Sequence, residues 1–127
     1  MEHIETAAGG WNPSGNEHFT GTVWNRRLKE SEDGITMIAV QFAPGARSDW
    51  HSHPGGQLLY VVSGTGLVQT ENQSTISISP GDVVYAPPGE RHWHGASPDS
   101  PMQHLSLTTG GPAAWEDKVS DDEYGRR

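Results

Sequence analysis

The chain has 127 residues, a length that suits one domain with a single core. Its formal charge of −8 argues against nucleic acid as a partner, because no basic stripe offsets the phosphate charge. It has no cysteine, which excludes disulfides, zinc–thiolate sites and iron–sulfur clusters, so any metal must sit on nitrogen and oxygen ligands.

The first third of the chain is predicted to be a loosely ordered segment followed by short strands. Residues 1–16 contain three glycines and a proline and have no regular pattern. Phe19–Leu28 alternates enough for a strand, and Ile35–Phe42 has apolar residues on both faces, which is typical of a strand between two layers. Between these strands, Asp33-Gly34 is a hairpin turn signal.

The middle of the chain repeats short apolar runs separated by glycine and proline turns. Such a series favours a β-sandwich or β-barrel over any helical fold. On the last run, alternation places Met102, His104 and Ser106 on one face. The predicted strands are Leu58–Val62, Leu67–Glu71, Thr75–Ser79, Val83–Ala86 and Met102–Thr108.

The end of the chain is acidic and is predicted to be a solvated tail. It holds Glu116, Asp117, Asp121, Asp122 and Glu123. At most one turn of helix is expected between residues 115 and 124. Trp115 and Tyr124 are predicted to anchor this tail against the barrel or against a neighbouring subunit.

Two histidine clusters carry the chemistry. The first is His51-Ser52-His53 with Gln57 four residues later, and the second is His92-Trp93-His94. Residues two apart on a strand point to the same face, so two facing strands could offer three imidazoles and one amide to one divalent metal.

The spacing of these clusters resembles the two sequence motifs of the cupins. The resemblance implies an all-β fold, a double-stranded β-helix or jelly-roll β-barrel. It implies one domain over residues 1–127, with a flexible N-terminus at about 1–16, a barrel at about 17–109 and a C-terminal tail at 110–127. Gln57 stands where cupins usually have glutamate, and Ala96 where they have asparagine. The first motif is Gly45, His51, His53, Gln57 and Gly64, and the second is Gly81, Pro87, Gly89 and His92.

A closer resemblance, to small bacterial cupins that act as manganese-dependent hydroxynitrile lyases, runs from about Phe19 to the C-terminus. Related sequences are often described as carboxymuconolactone-decarboxylase-like cupins. The strings that carry it are WHSHPGGQ (50–57), PGERHWHGASPDSPMQHLSL (88–107) and WEDKVSDDEY (115–124). It implies metal ligation by His51, His53, Gln57 and His92, and acid–base catalysis by His94 and His104.

The resemblance implies Mn²⁺ as the metal, and the donor set by itself suits Mn²⁺, Fe²⁺, Co²⁺, Ni²⁺ or Zn²⁺. A neutral Gln57 leaves the metal its full positive charge, which strengthens a Lewis acid and weakens support for oxygen chemistry. The expected reaction is cleavage or formation of a cyanohydrin, an aldehyde plus cyanide. One of His94 and His104 takes the hydroxyl proton and the other serves the leaving cyanide; the sequence leaves their order open.

Three other functions stay open at this point. The first is a cupin dioxygenase acting on a small keto or phenolic substrate, and the second is a metal-dependent isomerase, decarboxylase or cyclase. The third is a non-catalytic cupin that binds a small molecule. The expected partner is a small-molecule substrate, with no nucleic acid and no membrane. The chain is expected to be cytoplasmic and to form a homodimer or homotetramer through its N-terminal strands.

The remaining candidate residues are expected to have structural or pocket-lining roles, or none. His3 and His18 are expected to be bystanders. Arg47 is expected to form a surface salt bridge rather than to steer an anion. Strand register makes Thr36, Val40 and Gln41 candidate pocket walls. Four aromatic residues are expected to pack the barrel, and one or two of them could line a pocket for an aromatic substrate: Phe42, Trp50, Tyr60 and Trp93.

Overall fold

The computed structural model describes residues 1–31 and 34–127, so Asp33 of the predicted hairpin turn lies outside the described residues. Within them the chain forms thirteen short strands and one short helix, and no helix is long and apolar enough to cross a membrane. The strands are β1 (Asn12–Pro13), β2 (Phe19–Thr20), β3 (Val23–Lys29), β4 (Thr36–Phe42), β5 (Arg47–Ser48), β6 (His51–Ser52), β7 (Gln57–Gly64), β8 (Gly66–Thr70), β9 (Ile76–Ile78), β10 (Val83–Ala86), β11 (His92–Ala96), β12 (Met102–Thr108) and β13 (Ala114–Trp115), and the helix is α1 (Asp121–Gly125).

Two antiparallel sheets pack face to face. One has the order β1-β3-β4-β12-β7-β10, and the other has the order β13-β6-β11-β5-β2, with β8 joining β11 to β9. Side chains from both sheets, such as Phe42 on β4 and Val68 on β8, share one hydrophobic core. This arrangement confirms the predicted all-β jelly-roll architecture.

The predicted strands agree with the structure except near the N-terminus. Val83–Ala86 and Met102–Thr108 have the predicted bounds. The predicted strand Phe19–Leu28 is divided into β2 and β3 because Gly21 adopts φ 82° beside Ala46. The segment expected to be loosely ordered also contains β1, which pairs with β3.

The inward faces of the strands form the core at one end of the barrel and a polar cavity at the other. Along β12 the inward side chains change from Met102, which packs in the core, to His104 and then Ser106. Of the four aromatic residues expected in the core, Phe42, Trp50 and Trp93 are buried, but Tyr60 lies on the outer face of β7 and is 46% exposed. Strand alternation fixes which residues share a face but does not fix which face is inward.

The C-terminal strap, residues 114–125, is held against the second sheet. Its β13 pairs with β6, so that Trp115 lies opposite His51. Arg47 forms the expected salt bridge, with the exposed Asp121, but Arg47 itself is buried and also donates to the carbonyl of Val119, so its expected surface position is wrong. The strap ends in α1, which confirms the predicted turn of helix and begins with a capping box.

The acidic side chains of the strap are exposed as predicted, except that of Glu123, which accepts a hydrogen bond from Trp50, and the backbone of the strap is fixed. The side chain of Asp117 is 91% exposed and that of Asp121 is 96% exposed. The backbone carbonyl of Asp117 nevertheless accepts a hydrogen bond from the amide of Trp50, and the amide of Glu116 donates to the Trp50 carbonyl. The prediction of a solvated tail is therefore correct for most of the carboxylates and wrong for the backbone, which is hydrogen-bonded to Trp50.

Candidate metal centre

Three of the predicted ligands converge at the polar end of the barrel. His51 on β6 and His92 on β11 are direct partners in the strand register, and His53 follows β6. The side-chain nitrogens that these residues could offer to a metal all lie within 4.8 Å of one another. The cluster can hold a metal ion, as the two His-containing motifs predicted.

Hydrogen bonds orient the ring of His51 for ligation. Its Nδ1 lies 2.8 Å from the carbonyl oxygen of Asp49, and a carbonyl only accepts, so Nδ1 carries the proton and Nε2 a lone pair. Within the described residues, the buried Nε2 atoms of His51 and His53 have no hydrogen-bond partner. Buried polar atoms left without a partner are costly, and a metal ion would satisfy both of these.

His92 and Gln57 provide a second test of the fit. His92 Nδ1 lies 2.9 Å from the carbonyl of Glu90, and its Nε2 lies 2.8 Å from Oε1 of Gln57. The amide nitrogen of Gln57 donates to Ser106, which turns Oε1 toward His92. A neutral His92 that donates from Nδ1 then faces Oε1 with a lone pair at Nε2.

Two acceptors at this distance are unfavourable unless a cation lies between them. The 2.8 Å between Nε2 and Oε1 is short enough for both atoms to bind one cation. The structure thus brings together all four predicted ligands, and their chemistry fits a divalent cation. Their roles as ligands stay a prediction.

Burial keeps the histidine ligands in the form that a metal requires. Desolvation, reinforced by the neighbouring His92, lowers the pKa of His51 to about 3 and that of His53 to about 4. Desolvation also lowers the pKa of His92. These imidazoles are therefore neutral near pH 7 and need not lose a proton to bind a metal.

A second histidine pair lies beside the first cluster. His94 on β11 and His104 on β12 come from opposite sheets, and His104 Nε2 lies 3.0 Å from His94 Nδ1. The ring of His94 lies 5.1 Å from that of His51. Burial lowers the pKa of both, that of His104 to about 4, so the pair is neutral at pH 7 and shares one proton along its hydrogen bond.

A cavity of about 290 Å³ opens onto both histidine groups. Val40 lines it, as predicted for a pocket wall, but Gln41 faces away and bonds Gln103, and Thr36 lines only an adjoining depression. Several other residues that line the cavity were not predicted from the sequence. They are Ser14, Phe19, Asn25, Arg27, Ile38, Thr108 and Trp115.

His18 also lines the cavity, so its interpretation as a bystander is wrong. Its ring stacks on Trp115, with centroids 4.3 Å apart and planes inclined by 7°. Trp115 in turn lies 4.7 Å from the ring of His51, so it covers a predicted ligand as well as anchoring the strap. No local pattern indicates this contact, because it joins the N-terminal segment to the C-terminal strap.

The cavity carries no negative side chain. Among the described residues that line it, none is aspartate or glutamate, and the predicted ligands are neutral. A divalent cation held here would keep its positive charge within a buried space. With such a cation bound, the site would stabilise negative charge that develops on oxygen or carbon.

Comparisons with known proteins agree with this geometry. The family described as "Cupin domain" matches residues 39–108. The (R)-mandelonitrile lyase of Granulicella tundricola is 40% identical over 99% of this chain and 98% of that protein. Germin-like protein 5-1 of Oryza sativa subsp. japonica is 33% identical over 58% of this chain and 35% of its own length.

Solved structures show the same fold. A cupin-like protein of Thermotoga maritima superposes with a TM-score of 0.85 and 41% identity, over 88% of this chain and 89% of that one. The polyketide cyclase RemF of Streptomyces resistomycificus has a TM-score of 0.70 over 98% and 90% of the two chains. Its 19% identity shows the fold alone.

Proposed function

Because this chain belongs to the cupin domain family, we propose that it is a metal-dependent lyase that cleaves and forms cyanohydrins. The observation that carries the proposal is the neutral donor set beside the bonded pair of His94 and His104. The full-length similarity to a mandelonitrile lyase supports it.

His51, His53, Gln57 and His92 would hold the cation, and we propose Mn²⁺. When bound, a divalent cation supplies Lewis acidity that lowers the pKa of a substrate hydroxyl. Because Oε1 of Gln57 is uncharged, it would not reduce the positive charge of the cation and so would not weaken its Lewis acidity. Ser106 accepts the hydrogen bond that keeps Oε1 turned inward.

His94 is the proposed base. In the tautomer in which its Nδ1 donates to His104 Nε2, its Nε2 carries a lone pair and has no protein partner among the described residues. His94 Nε2 takes the hydroxyl proton, and the electron pair of that bond forms the aldehyde carbonyl. The carbon–carbon bond breaks, its electron pair leaves with cyanide, and the proton passes to cyanide to give HCN.

His104 supports this transfer from the opposite sheet. In that tautomer its Nε2 accepts the hydrogen bond of His94 Nδ1, which stabilises His94 while it is protonated. The apolar wall of the cavity, formed by Phe19, Ile38, Val40 and Trp115, would take the substrate's hydrocarbon group. We propose aromatic or bulky aliphatic cyanohydrins as the substrate class.

The experiment that tests the function is benzaldehyde release from mandelonitrile by the Mn²⁺-loaded protein at mildly acidic pH, with and without oxygen. Release well above the metal-free control, and independent of oxygen, is expected. Oxygen consumption with another small substrate would point to a dioxygenase instead. A protein that binds metal but turns over no cyanohydrin or carbonyl substrate would favour a binding role.

His104→Ala tests the histidine pair within that assay. We expect kcat to fall by about a hundredfold, which is the usual range for loss of an acid–base group, with metal content unchanged. His3→Ala is the matched control, because His3 is exposed and outside the cavity. Parent turnover by His104→Ala would rule out the role assigned to His104.

A further inference from the structure

Lys118, on the C-terminal strap, joins three parts of the chain at one point. Its ammonium nitrogen lies 3.1 and 3.2 Å from the two carboxylate oxygens of Asp49. It also donates to the carbonyls of Asn16 at 2.8 Å and Glu17 at 3.1 Å. The carboxylate of Asp49 is only 4% exposed, so this cation neutralises a buried charge.

Asp49 connects Lys118 to the candidate metal centre. Its carbonyl accepts the hydrogen bond from His51 Nδ1 that directs Nε2 of that ring inward. Its amide donates to the carbonyl of His18, which lines the cavity. The backbone of one residue thus orients a predicted ligand and holds the N-terminal segment, while its side chain is held by Lys118.

We propose that Lys118 is a positioning residue of the metal centre, which acts through Asp49 on His51 and through the carbonyls of residues 16 and 17 on the segment that carries His18. The proposal rests on the metal binding in the proposed function. Residues behind a ligand fix its ring orientation and raise metal affinity. A half-exposed lysine with a purely structural role would affect folding stability and leave metal affinity unchanged.

The chain offers a matched control, since Lys29 is its other lysine. Lys29 is about as exposed as Lys118, but it pairs at 3.2 Å with Glu2, whose side chain is 66% exposed, and not with a buried carboxylate. Mn²⁺ is titrated into metal-free Lys118→Met, Lys29→Met and parent protein, and free Mn²⁺ is read by its electron paramagnetic resonance signal. We expect Lys118→Met to weaken binding by about tenfold or more, and Lys29→Met to match the parent.

A second variant separates positioning from stability. Lys118→Met alone leaves the Asp49 carboxylate buried and unpaired, whereas Asp49→Asn combined with Lys118→Met removes both charges. The double variant is expected to recover thermal stability and to bind Mn²⁺ as weakly as the single one. Parent affinity in either variant would overturn the proposal.

Hydrogen exchange of the unmodified protein gives a test that needs no variant. Coupling between two sites is reciprocal, so Mn²⁺ should slow exchange of the Asp49 amide, which is bonded to His18, and of the Trp50 amide, which is bonded to Asp117. Unchanged exchange at both amides would contradict the proposal. A parent protein that does not bind Mn²⁺ would refute the metal site itself, which is a different failure.

Discussion

The role that a histidine can take depends on the hydrogen-bond partner of one of its two ring nitrogens. A backbone carbonyl holds Nδ1 of His51 and of His92, which leaves Nε2 for a metal. His94 and His104 hold each other instead, so a proton can move between them. Histidines buried to similar degrees are thereby divided into a candidate ligand set and a proposed acid–base pair.

Gln57 is the residue whose charge should control the chemistry of the site. We expect Gln57→Glu to bind Mn²⁺ at least as tightly but to lower kcat/KM for mandelonitrile by about tenfold, because a carboxylate reduces the positive charge available to the substrate. Metal content and steady-state rates measure the two effects. Gln103→Glu is the control, since Gln103 lies on the far side of β12 and contacts Gln41. An unchanged rate in Gln57→Glu would contradict this account.

Among the elements, the C-terminal strap is short but contacts the second sheet at two places, β6 and β11. Its β13 extends the sheet beside a predicted ligand, and the side chain of its helix residue Tyr124 reaches the end of β11. The ring of Tyr124 also lies under the guanidinium of Arg47, 4.6 Å from its centroid. The strap is therefore part of the wall of the site as well as a closing segment.

Tyr124→Phe tests how firmly the strap is held. The hydroxyl donates to the carbonyl of Ala96 at 2.6 Å in a buried setting, so its loss should lower the free energy of unfolding by about 1 kcal/mol. Urea denaturation measures the change. Tyr85→Phe is the control, because Tyr85 is 61% exposed, and it should have little effect. Equal stability of the two variants would show that the hydrogen bond contributes nothing net.

For the molecule as a whole, the buried histidines should make the metal-free protein sensitive to acid. His104 has its pKa lowered by burial from 6.5 to about 4, so below about pH 6.5 the unfolded chain binds a proton that the folded one does not. Stability is then complete above pH 6.5 and is lost as the pH falls toward 4. His104 alone accounts for about 3 kcal/mol of that loss.

Urea unfolding of the metal-free protein at pH 7.5 and at pH 5 measures this dependence. The free energy of unfolding should be lower at pH 5, and His104→Gln should reduce the difference between the two values. His3→Gln, which changes an exposed histidine, should leave the difference unchanged. Greater stability at pH 5 would contradict the burial argument.

The outer face of the first sheet should associate with a second copy of the chain. Tyr60 lies opposite Val83, and Leu58 opposite Tyr85, so these four side chains form one patch, each between 40% and 61% exposed. None is charged, although the chain carries −8, so two copies can meet here without opposing their acidic groups. This face is a candidate interface beside the N-terminal strands, whose expected pairing stays a prediction.

Tyr60→Lys should weaken that association by tenfold or more, because it places a charge in the middle of the patch. Sedimentation equilibrium of the parent and the variant measures it. Ile76→Lys is the control, since Ile76 is 61% exposed but lies on the other sheet. A parent that is monomeric throughout, or equal association of both variants, would rule out this interface.

Local patterns were enough for the barrel, and together with the family resemblance they were enough for the predicted ligands and the histidine pair. The bounds of β10 and β12 were predicted from period-two alternation and glycine–proline turns, because these two signals depend only on neighbouring residues. The two histidine motifs identified His51, His53, Gln57 and His92, which the structure brings together, and the closer family resemblance pointed to His94 and His104, which the structure places side by side.

The sequence by itself determined the all-β architecture, the absence of thiol chemistry and the neutral nitrogen and oxygen donors available to a metal. Only the tertiary structure decided which face of β7 is inward, and it alone placed His18 and Trp115 at the cavity and Lys118 beside Asp49. These contacts join segments about a hundred positions apart, and no local pattern encodes which distant segments meet. The burial of Arg47 could not be predicted from the sequence for the same reason, because it depends on a strap more than seventy residues away.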